Sequence, residues 1–238
     1  MATTAPKRQT QSAIDLFGKS YGIFKRNFGL YLLLYSIPFL FTLWDSLDRY
    51  GNDNPPSRSW NNWFGSGVLG PAGSSPFYDN AGVLIALLVI PFIISQLMLE
   101  VLNLRAAQGR QPTFKQLWTE FTANWLWLKL MALMLLVVLI VVAGFIALIV
   151  AGVILLWRLF LAPYILIDQK VGIEESIRRS WRLTKGYGWP IYSVLLVSLA
   201  IALFNVVPLL GAILAAILGA IYSIAPALRY WEIHRSSS

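Results

Sequence analysis

Arg158 stands inside the apolar run 149–167, about nine residues from either end. A lone cation near the middle of a bilayer costs about 2.5–3.5 kcal/mol on insertion scales. It must therefore face a bundle interior, find a partner, or snorkel to the interface. Glu100 and Gln96, in an earlier apolar run, are the polar side chains on offer, and an Arg158–Glu100 pair is the expectation. The chemistry of such an intramembrane polar site is either a structural ion pair or a contact to a substrate or lipid phosphate, and both readings stay open. A second constellation, Asp168, Glu174, Glu175, Arg178, Arg179, Arg182 and Lys185, mixes both signs in a short segment. Glu174–Arg178 and Glu175–Arg179 have the i,i+4 spacing of helical ion pairs. The alternative is contact of Arg178, Arg179, Arg182 and Lys185 with anionic lipid headgroups.

Other chemistry is missing. The chain has no cysteine, and His234 is its one histidine, which removes disulfides, thiol catalysis, palmitoylation, His-based metal sites and a catalytic triad. There is no glycine-rich phosphate loop, no acid/base carboxylate pair and no metal-ligand spacing. The expectation is a protein that is not an enzyme and carries no cofactor or metal. The formal net charge is +8, but the basic residues alternate with apolar runs, which points to lipid headgroups and topology signals rather than nucleic acid.

The elements that must position these residues are membrane helices. Apolar residues make up 57% of the 238-residue chain and charged residues 13%, against about 45–50% and about 25% in soluble domains. Mean hydropathy is +0.63. That much apolar surface requires lipid as part of the solvent. The stretch 125–167 is 43 residues long; as one straight helix it would span roughly 65 Å, twice the hydrocarbon thickness. It therefore divides into two, and 190–230 divides likewise at Val207-Pro208-Leu209-Leu210-Gly211. The fold class is all-α integral membrane: six transmembrane helices as three hairpins, over about 28–44, 81–102, 125–145, 149–167, 190–207 and 211–230. Residues 1–12 form a basic tail, 45–79 an extracytoplasmic loop with Trp60, Trp63 and Phe64, and 232–238 a short tail.

The two later hairpins look like copies offset by 63 residues, with Trp118 matching Trp181 and Ala162-Pro163 matching Ala225-Pro226. An amphipathic segment precedes each hairpin: Ile14, Phe17, Tyr21, Phe24 and Phe28; Phe114, Leu117, Trp118, Phe121 and Trp125; Ile173, Ile177, Trp181 and Thr184. Spacings of three and four put these residues on one helical face. Such a helix beside a span lies in the interface plane, so three elbow helices are expected. Ser180, Thr184, Gly144, Gly152, Gly211 and Gly219 read as small residues for close helix approach, and Gly186 as the end of the third elbow helix. Fifteen of the nineteen Lys and Arg residues fall in the N-terminal segment, 103–124, 168–189 and the C-terminal end from Arg229 onward. The positive-inside rule places these segments, and both termini, in the cytoplasm.

The segment 157–189, WRLFLAPYILIDQKVGIEESIRRSWRLTKGYGW, resembles a bacterial and archaeal membrane-domain family that includes the membrane portion of some glycerophosphodiester phosphodiesterases. The shared pattern is Pro163, an acidic residue near 168, Glu174 or Glu175, Ser180-Trp181-Arg182-Leu183-Thr184 and Gly186. The opening AIDLFGKSYGIFKRNFG is similar to the family's first elbow. The resemblance covers about 13–231, with 45–79 as a variable insert. It implies the fold and no activity, because nothing here corresponds to the separate catalytic barrel of the fused members. The expected role is lipid-associated or scaffolding, with membrane lipids as partners. A small-molecule or lipid permease is the second reading, favoured by Pro-interrupted spans and opposed by the scarcity of polar residues within them (Gln96, Arg158, Asn205).

Overall fold

The computed structural model describes residues 10–51, 81–204 and 210–237. The tail 1–9, the greater part of the expected 45–79 loop with its Trp60, Trp63 and Phe64, and the 205–209 turn with Asn205 lie outside the described residues. All regular structure among the described residues is helical.

Three short helices carry the amphipathic segments: α1 (Ala13–Arg26), α4 (Phe114–Thr122) and α8 (Ile173–Leu183). Capping boxes start the first two. In α1, Ser12 Oγ accepts from the Asp15 N–H (3.1 Å) and the Ser12 N–H donates to Asp15 Oδ2 (3.2 Å). These bonds from Ser12 hold the Asp15 carboxyl below the usual carboxylate range. Thr113 and Gln116 do the same for α4. No side chain caps α8; Glu174 and Glu175 in its first turn complement the helix dipole instead.

The expected apolar faces of these helices are split. α1 buries Ala13, Leu16 and Ser20, α4 buries Leu117 and Phe121, and α8 buries Ser176 and Ser180. Large residues of the same stripe, Ile14, Tyr21, Phe114, Trp118 and Trp181, point outward. Small residues and a few leucines let each short helix sit close against the bundle, and the bulky residues beside them meet the surroundings. A bend of 108° separates α8 from the helix that follows it.

The remaining helices are α2 (Phe28–Gly51), α3 (Ala81–Ala107), α5 (Leu126–Ala147), α6 (Ile149–Leu159), α7 (Ala162–Gln169), α9 (Gly188–Leu203), α10 (Leu210–Tyr222) and α11 (Ala225–Ser237). Several boundaries differ from expectation. α2 continues through 45–51, shortening the loop. The expected 149–167 run is one apolar segment, Ile149–Gln169, long enough to cross a membrane; a short interruption at Phe160 and Leu161 divides it into α6 and α7, and Pro163 sits in the first turn of α7, where its missing N–H costs nothing. Helix α11 reaches Ser237, and Ile233 within it is fully buried, so 232–237 is a packed element rather than a tail. α7 and α11 begin at Ala162 and Ala225, 63 residues apart.

The core sits where α3, α7 and α11 converge. Val101, Leu102 and Leu104 of α3, Ile165, Leu166 and Ile167 of α7, and Tyr230 and Ile233 of α11 are all fully buried. The outer helices do the opposite. The apolar candidate span Phe114–Ala147, which includes α5, has only 22% of its most hydrophobic window buried, and Leu135, Val138, Leu139, Val142 and Ile146 are exposed. An apolar surface this continuous does not face water in a monomeric soluble protein. Among the described residues, four helical segments are long and apolar enough to cross a membrane, and a fifth if α8 and α9 count as one bent span; Phe28–Leu40 of α2 is a shorter apolar helix.

α5 and α6 fold back on each other at Leu148, whose extended backbone (φ −161°, ψ 131°) interrupts the helix. Gly144 and Gly152 make this close approach: a Cβ on Gly152 would lie 2.4 Å from the Phe145 ring, and one on Gly144 3.1 Å from the Gly152 Cα. Gly219 has no such neighbour, so its expected packing role is not realised. Gly152→Ala should lower stability by about 1–3 kcal/mol, the usual cost of overpacking. Gly219→Ala should be neutral or stabilising, since Ala is the better helix former. Thermal unfolding of the two variants in mild detergent checks the contrast.

Candidate functional site

Arg158 and Glu100 do not pair. Arg158, near the end of α6, turns toward α8: its Nη1 donates to the Trp181 carbonyl (3.0 Å), and its guanidinium lies 4.5 Å and 5.1 Å from the Trp157 and Trp181 ring centroids. The Ser180 hydroxyl donates to the Arg158 carbonyl at 2.7 Å, and the Thr184 hydroxyl to the Ser180 carbonyl at 2.8 Å. Cation–π stacking and backbone carbonyls thus replace the expected carboxylate. The side chain fastens α6 to α8, which is also why Ser180 must be small.

Glu100 instead belongs to a cluster of neutral polar groups at the meeting point of α2, α3, α7 and the α10–α11 junction. Glu100 lies beside Tyr164, with Tyr31 and Tyr35 also close by, and its Oε2 is buried without a hydrogen-bond partner. One turn on, Asn103 Oδ1 accepts from the Tyr31 hydroxyl (2.9 Å) and the Ser223 hydroxyl (3.4 Å). Gln96, partly buried one turn before Glu100, takes part in neither set of bonds. Tyr31, Asn103, Tyr164 and Ser223 carried no signal in the sequence, because hydroxyls spaced over nearly two hundred residues form no motif.

A second network closes the end of the bundle. Arg105 Nε donates to both Glu120 oxygens (3.1 Å each), with a further bond from Nη2, and Arg105 Nη1 donates to Gln108 Oε1 (2.8 Å). Gln108 and Tyr230 both donate to Asp168 (2.7 and 2.8 Å). Arg229, fully buried, pairs with Glu232 (2.6 Å) and donates to the Gln11 carbonyl (2.9 Å). These bonds bring residues 11, 105–120, 168 and 229–232 together at one end of the molecule. The loops richest in Lys and Arg therefore share that end.

The same end carries an open cleft of about 430 Å³ lined by Arg179, Arg182, Lys185, Gln169, Tyr187 and His234. Three of the four cations singled out in the sequence line it. The fourth, Arg178, is surface-exposed and pairs with Glu174 at 2.8 Å. Arg179 is held by Glu175 (2.6 Å) and by Gln169. The Arg179 guanidinium in turn keeps the Glu175 carboxyl below the usual carboxylate range. Neither Arg182 nor Lys185 is in an ion pair among the described residues, although Glu175 lies within electrostatic reach of Arg182, so the cleft carries an excess of positive charge. His234 stacks on Tyr230 and Trp231 (5.6 and 6.1 Å) and forms one wall. α9 begins at this cleft with no side-chain cap, after Tyr187. Its amino-terminal dipole adds to the attraction for an anion. Gly186, in the left-handed region (φ +89°), makes the turn between α8 and α9.

No group of three or more His, Cys, Asp or Glu residues suited to a metal occurs among the described residues. No protein-family model, curated protein or solved structure matches the chain. Arg105→Met should cost about 3 kcal/mol, because it strands two partly buried carboxylates. Arg178→Met, which removes an exposed pair, should change stability by less than about 1 kcal/mol. Unfolding midpoints of the two variants in the same detergent test the ranking.

Proposed function

We propose that this chain is a non-enzymatic, lipid-associated protein of the cytoplasmic membrane, and that the cleft between α8, α9 and α11 holds anionic phospholipid headgroups at the cytoplasmic surface. The observation that carries this reading is the meeting of two cations in no ion pair among the described residues, Arg182 and Lys185, with an uncapped helix start in one open hollow. Juxtamembrane basic clusters attract anionic lipid by about 1 kcal/mol per residue. Trp181 and Trp189, both exposed and flanking the segment 182–187 in the chain, are amphipathic rings of the kind that favour headgroup level.

The proposal includes six spans as three hairpins, each led by an interfacial elbow helix, with a 63-residue repeat relating α4–α7 to α8–α11. The 108° bend before α9 and the outward-facing aromatic residues of α1, α4 and α8 support it. It also includes membership of the membrane-domain family that 157–189 resembles, without any hydrolase activity. A permease is the weaker reading, because few polar side chains lie within the spans and Asn103 among them is engaged by Tyr31 and Ser223.

In detergent, phosphatidylglycerol should raise the unfolding temperature of the protein by several degrees, at about 2–4 °C per kcal/mol of binding. Phosphatidylcholine should not, and Arg182→Gln/Lys185→Gln should lose the shift. An equal shift with both lipids would refute the site. Because the chain has no cysteine, single substitutions report topology cleanly. Arg110→Cys and Arg178→Cys should be labelled only from the cytoplasmic side and Leu148→Cys only from the other.

A further inference from the structure

A second basic hollow lies at the turn between α4 and α5. It has a volume of about 170 Å³ and is lined by Glu120, Asn124, Leu126, Lys129, Leu166 and Lys170, among others. Glu120 contributes little negative potential there, because Arg105 engages both of its oxygens. Lys129 and Lys170 are exposed and have no ion-pair partner among the described residues.

Backbone conformation singles out the same place. The non-glycine residues with positive φ among the described residues are Asn124 (53°), Trp125 (57°) and Lys170 (52°). Asn124 and Lys170 line the hollow, and Trp125 stands between the lining residues Asn124 and Leu126 in the chain. Left-handed backbone at non-glycine residues is strained and concentrates at ligand clamps. Here the strain turns the chain from α4 into α5 and sets Lys170 at the left-handed carboxyl end of α7. α5 starts after Trp125 with no side-chain cap, so its amino-terminal dipole adds to the two lysines.

The hollow repeats the arrangement of the first cleft. Each lies at the turn between a short amphipathic helix and an uncapped long one, and each uses the end of α7, Gln169 for the first and Lys170 for the second. Its surroundings are those of a headgroup rather than of bulk water. Trp125 is exposed, its ring lies 6.5 Å from that of Trp127, and the neighbouring Leu128 and Met131 are exposed too. Lys129 stands in the first turn of α5 and is exposed, a position from which a lysine stem can lie along apolar surface and carry its ammonium toward headgroups.

We infer that this hollow is a second binding site for the phosphate of an anionic phospholipid, with Lys129 and Lys170 as its cationic contacts. The inference rests on the lipid reading of the first cleft and extends it to two sites per chain. Native mass spectrometry of the full chain with phosphatidylglycerol counts them. The wild type should retain two lipids, Lys129→Gln/Lys170→Gln one, and Arg182→Gln/Lys185→Gln one. The lipid lost from the lysine variant should bind about thirtyfold more weakly. Two lipids retained by Lys129→Gln/Lys170→Gln overturn the second site and leave the first standing. Two retained by Arg182→Gln/Lys185→Gln overturn the reading of the first cleft instead. Inorganic phosphate binding as tightly as the lipid, and lost in the lysine variant, would overturn the lipid as ligand. An unchanged unfolding temperature in the absence of added lipid shows that each variant still folds.

Discussion

The Arg105 guanidinium, gripped by Glu120 and set against Asp168, is the contact through which most of the molecule is held in register. Lipid offers no hydrogen bonds, so polar groups near the bundle end must be satisfied by one another. Arg105 joins α3 to α4, and Asp168 joins α3, through Gln108, to α7 and, through Tyr230, to α11. Apolar packing in lipid has little directionality, so by itself it leaves the register of neighbouring helices some freedom. A fork of charge-assisted bonds at one end removes that freedom.

With the ends fixed, the placement of small and large residues follows a pattern opposite to that of a soluble protein. The short helices α1 and α8 bury serine and alanine and expose isoleucine and tryptophan. Close approach matters more on the inner face, and apolar area is not wasted on the outer one when lipid receives it. Arg158 fits this scheme. Its carbonyl and guanidinium both bond to α8, and its charge is spread over two indole rings, so an arginine inside an apolar run needs no acid.

That outcome bears on how much of the site the sequence revealed. The cations Arg179, Arg182 and Lys185 were legible because they cluster within seven residues on one helix and its turn, and they do share a cleft. Their company, Gln169, Tyr187 and His234, was not, since three separate elements supply it. The Arg158–Glu100 pairing failed because opposite charge was the one partner rule that could be applied without coordinates. Aromatic faces and backbone carbonyls also receive a partly buried cation, and they are too common to single out. Arg229 shows the converse: its i,i+3 partner Glu232 was in view, but its complete burial depends on the return of α11 against residues 10–12.

The sequence by itself determined the solvent, the helical class and the end of the molecule to which the cations go. Those properties are sums over many residues, and single contacts barely alter them. The i,i+4 pairs of α8 and the break near 148 were legible for a related reason, being local to a turn or two of backbone. Tertiary structure alone decided which apolar residues face inward, how Ala162-Pro163 and Ala225-Pro226 break their runs, which neutral groups surround Glu100, and where the strained residues Asn124, Trp125 and Lys170 meet. Each of these depends on contacts between segments tens to hundreds of residues apart, whose geometry is set by packing of whole helices rather than by any periodicity along the chain.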